Sequence, residues 1–413
     1  MPTQKHASTN QLITTYIDQL ASFGLTKDGG VTRLLYSPVW MQAQQMLFQL
    51  FEQKGLTPFF DDVGNLYGRA IGRVESEPVI LTGSHIDTVD NGGKYDGAYG
   101  VIASLLAVTQ LMNEFGQPKK TIDVVSLCEE EGSRFPLTFW GSGNITGIHK
   151  PFDAALIKDS SGITMKEAME QTGFGLGRHQ EALRNDLSCF VELHIEQGSV
   201  LENAKESLGI VKSIVGQRRY TITVTGESNH AGTTPMYQRK DAMDSTTALI
   251  QRLLNSAKKL DPHFVATIGK MSVFPNTPNV IPGEVRFTLD IRHHQSEVLD
   301  RFYESMEHFF SETRFNDGVG IAINQWANVA PVDMSDSLAE NAYLLAQRTG
   351  YPTRYMYSGA GHDAQVFGAA IPTCLLFVPS INGISHSPLE YTNEEDLQIG
   401  VSALREVLYQ LAY

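Results

Sequence analysis

Residues 78–97 read PVILTGSHIDTVDNGGKYDG, and the apolar run GAYGVIASLLAVTQLMNEF continues over residues 97–115. The start, Pro78 to Leu81, is a short apolar strand that feeds Gly83-Ser84-His85. The long run that follows has the length and composition of a helix. Residues 121–128, TIDVVSLC, then return to a buried strand. Strands alternating with long helices build a largely parallel α/β sheet. Such open sheets take their ligands beyond the carboxyl ends of the strands, where His85 stands.

Upstream, PVWMQAQQMLFQLFEQK over residues 38–54 is an amphipathic helix ended by Gly55. Downstream the pattern changes. RRYTITVTG (218–226), VATIGKMSV (265–273) and EVRFTLDIR (284–292) alternate in period two. Helices at 238–260 and 295–314 separate or follow these strands, giving an α+β unit of roughly 115 residues. Beyond residue 330 the α/β pattern resumes, with a helix at 337–349, a strand at 371–378 and a closing helix at 394–411. A chain of 413 residues exceeds the size at which one core stops growing. The economical architecture is one α/β domain interrupted by a smaller insertion.

The formal net charge of −14 argues against a nucleic-acid binder, which would carry a basic stripe. No stretch of 18 apolar residues offers a membrane span, and the opening MPTQKHASTNQL lacks the apolar run of a signal peptide. Three cysteines, Cys128, Cys189 and Cys374, make no disulfide framework and read as reduced core residues, which points to the cytoplasm.

Four segments carry chemistry. In the first, His85 precedes Asp87, an acid placed to accept the second imidazole N–H, and Asp96 follows a glycine-rich turn. Taken singly, His85 reads more readily as a satisfied polar residue and Asp96 as a helix N-cap. The second is Glu129-Glu130-Glu131-Gly132-Ser133-Arg134-Phe135, directly after a buried strand. Three adjacent carboxylates repel one another there unless a cation joins them. In the third, VELHIEQG, a strand puts His194 on one face with Glu192 and Glu196. The fourth is the loop Gly383-Ile384-Ser385-His386-Ser387-Pro388. A set of His, Asp, Glu, His and His suits borderline divalent ions such as Zn²⁺ or Mn²⁺. No G-x-S-x-G elbow competes, and neither Gly92-Gly93 nor Gly359-Ala360-Gly361 has Walker or Rossmann spacing.

With these residues in place the chain resembles the aminoacylase and carboxypeptidase family of di-metal amidohydrolases, nearly end to end. The marks are GSHIDTV with GGKYDG, EEEGSRF, VELHIEQG, IVGQRRY, GESNHAGTTPM, PNTPNVIPG, DIRH, SGAGHDAQ and PSINGISHSP. They resemble the ureido-hydrolysing branch. TRLLYSP, EEEGSRF and PSINGISHSP look nearest its members acting on allantoate, with those acting on N-carbamoyl-L-amino acids or β-ureidopropionate as the alternative. A non-catalytic binding protein on the same fold is the remote one.

The resemblance implies a catalytic domain of residues 1–213 and 330–413, with a mixed, largely parallel sheet flanked by helices. Residues 214–329 would form a dimerisation and lid domain, a four-stranded antiparallel sheet with two helices. It implies two divalent ions, Zn²⁺ or Mn²⁺ with Co²⁺ also suitable, bridged by Asp96. His85 and His194 would hold one, Glu131 and His386 the other. Glu130 would be the general base and Asp87 would orient His85. His230 would donate to the oxyanion in a partner subunit of a homodimer. Gln217, Asn279, Arg292, Gly361 and His362 would contact a small ureido carboxylate.

Overall fold

The structure, a computed structural model, describes residues 9–413. The segment on which a signal peptide was discounted therefore lies partly outside the described residues. The chain divides into two compact units, one running through Lys212 and resuming at Asp333, the other Ser213–Val332.

The strands in chain order are β1 Thr57–Phe60, β2 Leu66–Ala70, β3 Val79–His85, β4 Ile122–Leu127, β5 Leu187–Ile195 and β6 Leu208–Ile214. They continue with β7 Gly216–Thr225, β8 Val265–Thr267, β9 Met271–Phe274, β10 Glu284–His293, β11 Gly320–Val329, β12 Val332–Asp333, β13 Thr353–Ser358 and β14 Thr373–Val378. The larger sheet has the order β1-β2-β4-β3-β5-β14-β6-β12, with β13 on β6. Its centre, β4-β3-β5-β14, is parallel, and antiparallel strands flank it. The sheet is thus mixed, with a parallel heart.

Strands covered on both faces lose the polar alternation of half-exposed ones. All seven residues of β3 and all six of β4 and β14 are buried. The helix Ala98–Phe115 that crosses from β3 to β4 is buried at every position from Ala98 to Val108. That is why its sequence is apolar all round rather than striped. Upstream, Ser37 caps the helix Pro38–Gln53 by accepting the Trp40 N–H, and Pro38 occupies the first turn, where no N–H is missed.

The second unit closes its own core. Tyr220, Ile222 and Val224 of β7 and Val285, Phe287, Leu289 and Ile291 of β10 are buried at alternate positions. They pack with Leu249 and Leu253 of the helix Ala242–Leu260, and with Phe302, Met306 and Phe310 of Ser296–Asp317. The row order is β11-β7-β10, with β8 and β9 both on β10. The run 265–273, expected as one strand, is broken. Thr267 faces Asp290 and Met271 faces Phe287, so three residues on one side oppose two on the other. This one-residue bulge contains Gly269, and the sheet has four rows with an interrupted edge.

Leu105 is fully buried at the centre of the larger core. Leu105→Ala is expected to cost about 2–5 kcal/mol. Urea unfolding of the full chain, followed by circular dichroism, measures it, and an unmoved transition would contradict this packing.

Candidate metal centre

Four adjacent parallel strands end on the same side of the sheet, and each delivers a part of the site. His85 is the last residue of β3, and Glu129, Glu130 and Glu131 follow β4. His194 is the penultimate residue of β5, and His386 lies on the loop after β14. Asp96 sits just ahead of the helix Ala98–Phe115.

Their atoms converge. Asp96 Oδ1 is 3.5 Å from His85 Nε2 and 3.2 Å from His194 Nε2. Its Oδ2 is 3.3 Å from His386 Nε2, which is 3.6 Å from Glu131 Oε2. Two ligand triads result, His85–Asp96–His194 and Asp96–Glu131–His386, each with its donor atoms within 4.8 Å of one another. Asp96 belongs to both. Glu130 belongs to neither, yet its Oε2 is 3.9 Å from His85 Nε2.

The backbone orients the two strand histidines. His85 Nδ1 donates to the Asp87 carbonyl at 3.1 Å, and His194 Nδ1 to the Ile195 carbonyl at 2.9 Å. With Nδ1 so engaged, Nε2 is the nitrogen left facing Asp96, the orientation that metal-binding histidines use. The Asp87 carboxylate stands farther from His85 than expected, with Oδ1 at 3.7 Å. Its Oδ2 instead accepts the Glu131 N–H at 3.1 Å, tying the acidic turn to the His85 loop.

The acidic turn separates its three glutamates. Glu129 adopts φ +53°, in the left-handed region. Its carboxylate turns toward the Phe135 N–H, at 3.5 Å, and away from the triads. Gly97 also has positive φ, +61°, and a Cβ there would fall 2.5 Å from three atoms of the His85 ring. Only glycine lets the backbone pass this close.

Charge explains what the cluster needs. Asp87, Asp96, Glu129, Glu130, Glu192, Asp363 and Glu390 are all buried, against few buried cations. Burial, with Glu131, Asp363 and Asp96 nearby, pushes the Glu130 carboxyl well up. Burial and Asp96 raise Glu131 to about 7. The Asp96 hydrogen bond, with Glu131 and Glu390, lifts His386 to about 9. These shifts share one cause, an excess of buried negative charge that favours added positive charge at the cluster. The nitrogen and oxygen donors and the shared carboxylate fit a pair of borderline divalent ions.

His362 packs edge-on against His194 with ring centroids 4.6 Å apart, and burial next to His194 keeps it well below the usual imidazole range. Gly361 precedes it and is exposed. In the second unit, Gln217 and Arg292 face each other across β7 and β10. Both bind Asp290: Gln217 Nε2 at 2.8 Å, Arg292 Nε and Nη2 at 3.1 Å each. His230 pairs with Val280, next to Asn279, through an isolated bridge. His230 Nδ1 accepts the N–H groups of Gly232 and Thr233 at 3.0 and 3.2 Å, which leaves the proton on Nε2.

Some neighbours of the site, Gln197, Ser385 and Glu390, have no role assigned from the sequence, and Glu192 is placed only on the His194 face. Gln197 donates to Asp96 Oδ2 at 2.8 Å, and the Ser385 hydroxyl lies 3.2 Å from the same oxygen. Glu192, on the His194 face of β5, accepts from Ser84 Oγ at 2.7 Å and the Ala364 N–H at 2.9 Å. Gln197 and Ser385 stand beside ligands in the quoted motifs, a signal that was available. Glu390 had none.

These features make a candidate centre for two metal ions on an α/β scaffold, of the kind hydrolases use. Residues 81–410 match the model of peptidase family M20/M25/M40, and the chain belongs to that family. It is 50% identical to an allantoate amidohydrolase of Bacillus subtilis over 406 residues, and 46% identical to one of Escherichia coli over 403, covering 98% of each chain in both cases. Among solved structures it is similar to a hydantoinase/carbamoylase family amidase from Burkholderia multivorans, with TM-score 0.93, 33% identity and 98% of both chains covered.

Gly97→Ala is expected to displace the His85 ring and abolish tight metal uptake while the fold persists. Metal content of the purified variant, measured beside its circular dichroism, checks this. A fully loaded variant would show that the contact is not restrictive.

Proposed function

We propose that the protein hydrolyses a ureido C–N bond of allantoate, giving (S)-ureidoglycine, ammonia and carbon dioxide in purine breakdown. One observation carries the chemistry: Asp96 joins two ligand triads beside a glutamate, Glu130, that belongs to neither. The full-length relatedness to two allantoate amidohydrolases supports the substrate.

In this reading His85, Asp96 and His194 hold one divalent cation, and Asp96, Glu131 and His386 the other. When bound, such a pair acidifies water and polarises the carbonyl under attack. The chain's own groups do the rest. Glu130 takes the proton of the attacking water and passes it to the leaving nitrogen, which departs as the C–N bond breaks. Asp87 holds the acidic turn in place through the Glu131 N–H.

The second unit supplies recognition. Arg292 offers a planar fork suited to a carboxylate, with Gln217 opposite it and Asn279 beside the His230 segment. His230, protonated on Nε2, is a neutral donor for the oxyanion, a contribution of roughly 3–4 kcal/mol in comparable sites. We place that donor across a homodimer built through the second unit. We assign Gly361 and His362, on the first unit, to substrate contact as well.

Zn²⁺ and Mn²⁺ both suit these donors, as does Co²⁺. No described helix is long and apolar enough to cross a membrane, and the three free cysteines are buried. A cytoplasmic setting suits both.

A panel of allantoate, N-carbamoyl-L-amino acids and β-ureidopropionate, run on protein of measured metal content, tests the substrate. Ammonia release fastest from allantoate is expected. Preference for a carbamoyl amino acid would move the protein to its sister activity, which the likeness to a carbamoylase-family amidase keeps in view. Glu130→Gln should lower kcat by about 10²–10⁴-fold with metal retained. Normal turnover in that variant would remove the base. Arg292→Ala should raise KM for the carboxylate substrate and leave kcat largely intact; an unchanged KM would end that role.

A further inference from the structure

Glu390 has no part in the roles assigned so far, although it is only 5% exposed and lies four residues beyond His386. Its Oε1 accepts the N–H groups of Tyr95 at 2.9 Å and Asp96 at 3.1 Å. Its Oε2 accepts the hydroxyl of Ser385 at 2.7 Å. One carboxylate therefore binds the turn that carries Asp96 and the loop that carries His386, Tyr95 and Glu390 being 295 residues apart in sequence.

The turn is shaped to receive it. A Cβ on Gly93 would lie 2.0 Å from Glu390 Oε1 and 2.1 Å from Cδ. Any other residue at 93 would expel the carboxylate. The glycine-rich turn thus serves a second purpose besides bending the chain.

The two triads differ in how firmly their members are held. His85 and His194 stand on buried strands with Nδ1 bound to backbone carbonyls. His386 lies on a loop, with its side chain 49% exposed and its backbone at φ +53°. Packing does little to place it. The Ser385–Glu390 contact next to it does more.

We propose that Glu390 is a positioning residue that locks the Asp96 turn to the His386 loop, and so sets the affinity of the Asp96–Glu131–His386 triad for its cation. The proposal rests on the di-metal reading. It also says what a conservative change should do. In Glu390→Gln the amide oxygen can still accept both N–H groups, and the amide nitrogen can donate to Ser385 Oγ. The Ser385 hydroxyl proton then turns to Asp96 Oδ2, 3.2 Å away. Glu390→Ala loses all of these bonds.

The experiment is calorimetric titration of metal-stripped full-length protein with Zn²⁺, and separately with Mn²⁺, against a competing chelator. Wild type is expected to take two equivalents. In Glu390→Ala one equivalent should weaken by about 10- to 100-fold, the range seen when a partner behind a metal ligand is removed. The other should stay within about threefold, and Glu390→Gln should keep both near wild-type strength. A general structural loss would produce neither the split nor the rescue. Wild-type binding of both equivalents by Glu390→Ala overturns the proposal, as does a Gln variant that falls as far as Ala. In either case the di-metal reading stands. Wild type that takes no ion overturns both. Should Glu390→Ala yield no folded protein, Gly93→Ala removes the same contact from the other side, and wild-type affinity in that folded variant overturns the proposal.

Discussion

The Asp96 carboxylate is the point on which the site is built. Its two oxygens divide the imidazoles: Oδ1 faces His85 and His194, while Oδ2 faces His386, Gln197 and the Ser385 hydroxyl. A carboxylate buried this deeply would ordinarily be driven to its neutral form. Burial does push Asp96 up, but the hydrogen bonds of His194, His386 and His85 outweigh it and hold the carboxyl well below the usual range. The acid therefore stays anionic at the bottom of a crowd of other acids. That charge balance suits cations and leaves a neutral ligand little to do.

The scaffold makes such a concentration of charge tolerable. Parallel strands covered on both faces bring β3, β4, β5 and β14 to one edge with their apolar bodies buried. The cost of the polar ends is offset by backbone groups already there. Glu196 accepts the first N–H groups of the helix Val200–Ala204, at 2.7 and 2.9 Å. Glu192 does the same for Ala364. Arg33, fully buried and held by the carbonyls of Leu20, Phe23 and Ile86, brings a positive charge under the His85–Asp87 loop. Burial lowers that guanidinium only to about 10, so it remains charged at neutral pH.

The second unit follows different rules. Its sheet is antiparallel and two helices pack into one core with it, so polar residues appear at alternate positions along β7 and β10. Asp290 collects Gln217, Arg219 and Arg292 around a single carboxylate. An internal acid thus fixes the guanidinium fork of Arg292.

What the sequence made legible was local. Strand-to-loop transitions ending in His85, Glu131 and His194 stood out because apolar runs stop abruptly at polar residues, and β3, β4 and β5 keep that pattern under burial. The long helix Ala98–Phe115 was equally plain. Less was visible where the deciding contact is remote. That Glu129 turns away follows from one left-handed backbone angle, which spacing along the chain does not encode. The break between β8 and β9 is a register shift against β10, a property of the pair rather than of either strand. β11 is mostly exposed along its length, so it lacks the apolar alternation that marked β7 and β10. Glu390 is the extreme case. Its partners are backbone N–H groups far upstream, which every residue type but proline possesses, and no motif can announce them. Only the fold, by bringing the Gly93 turn under that carboxylate, turns an ordinary loop acid into part of the site.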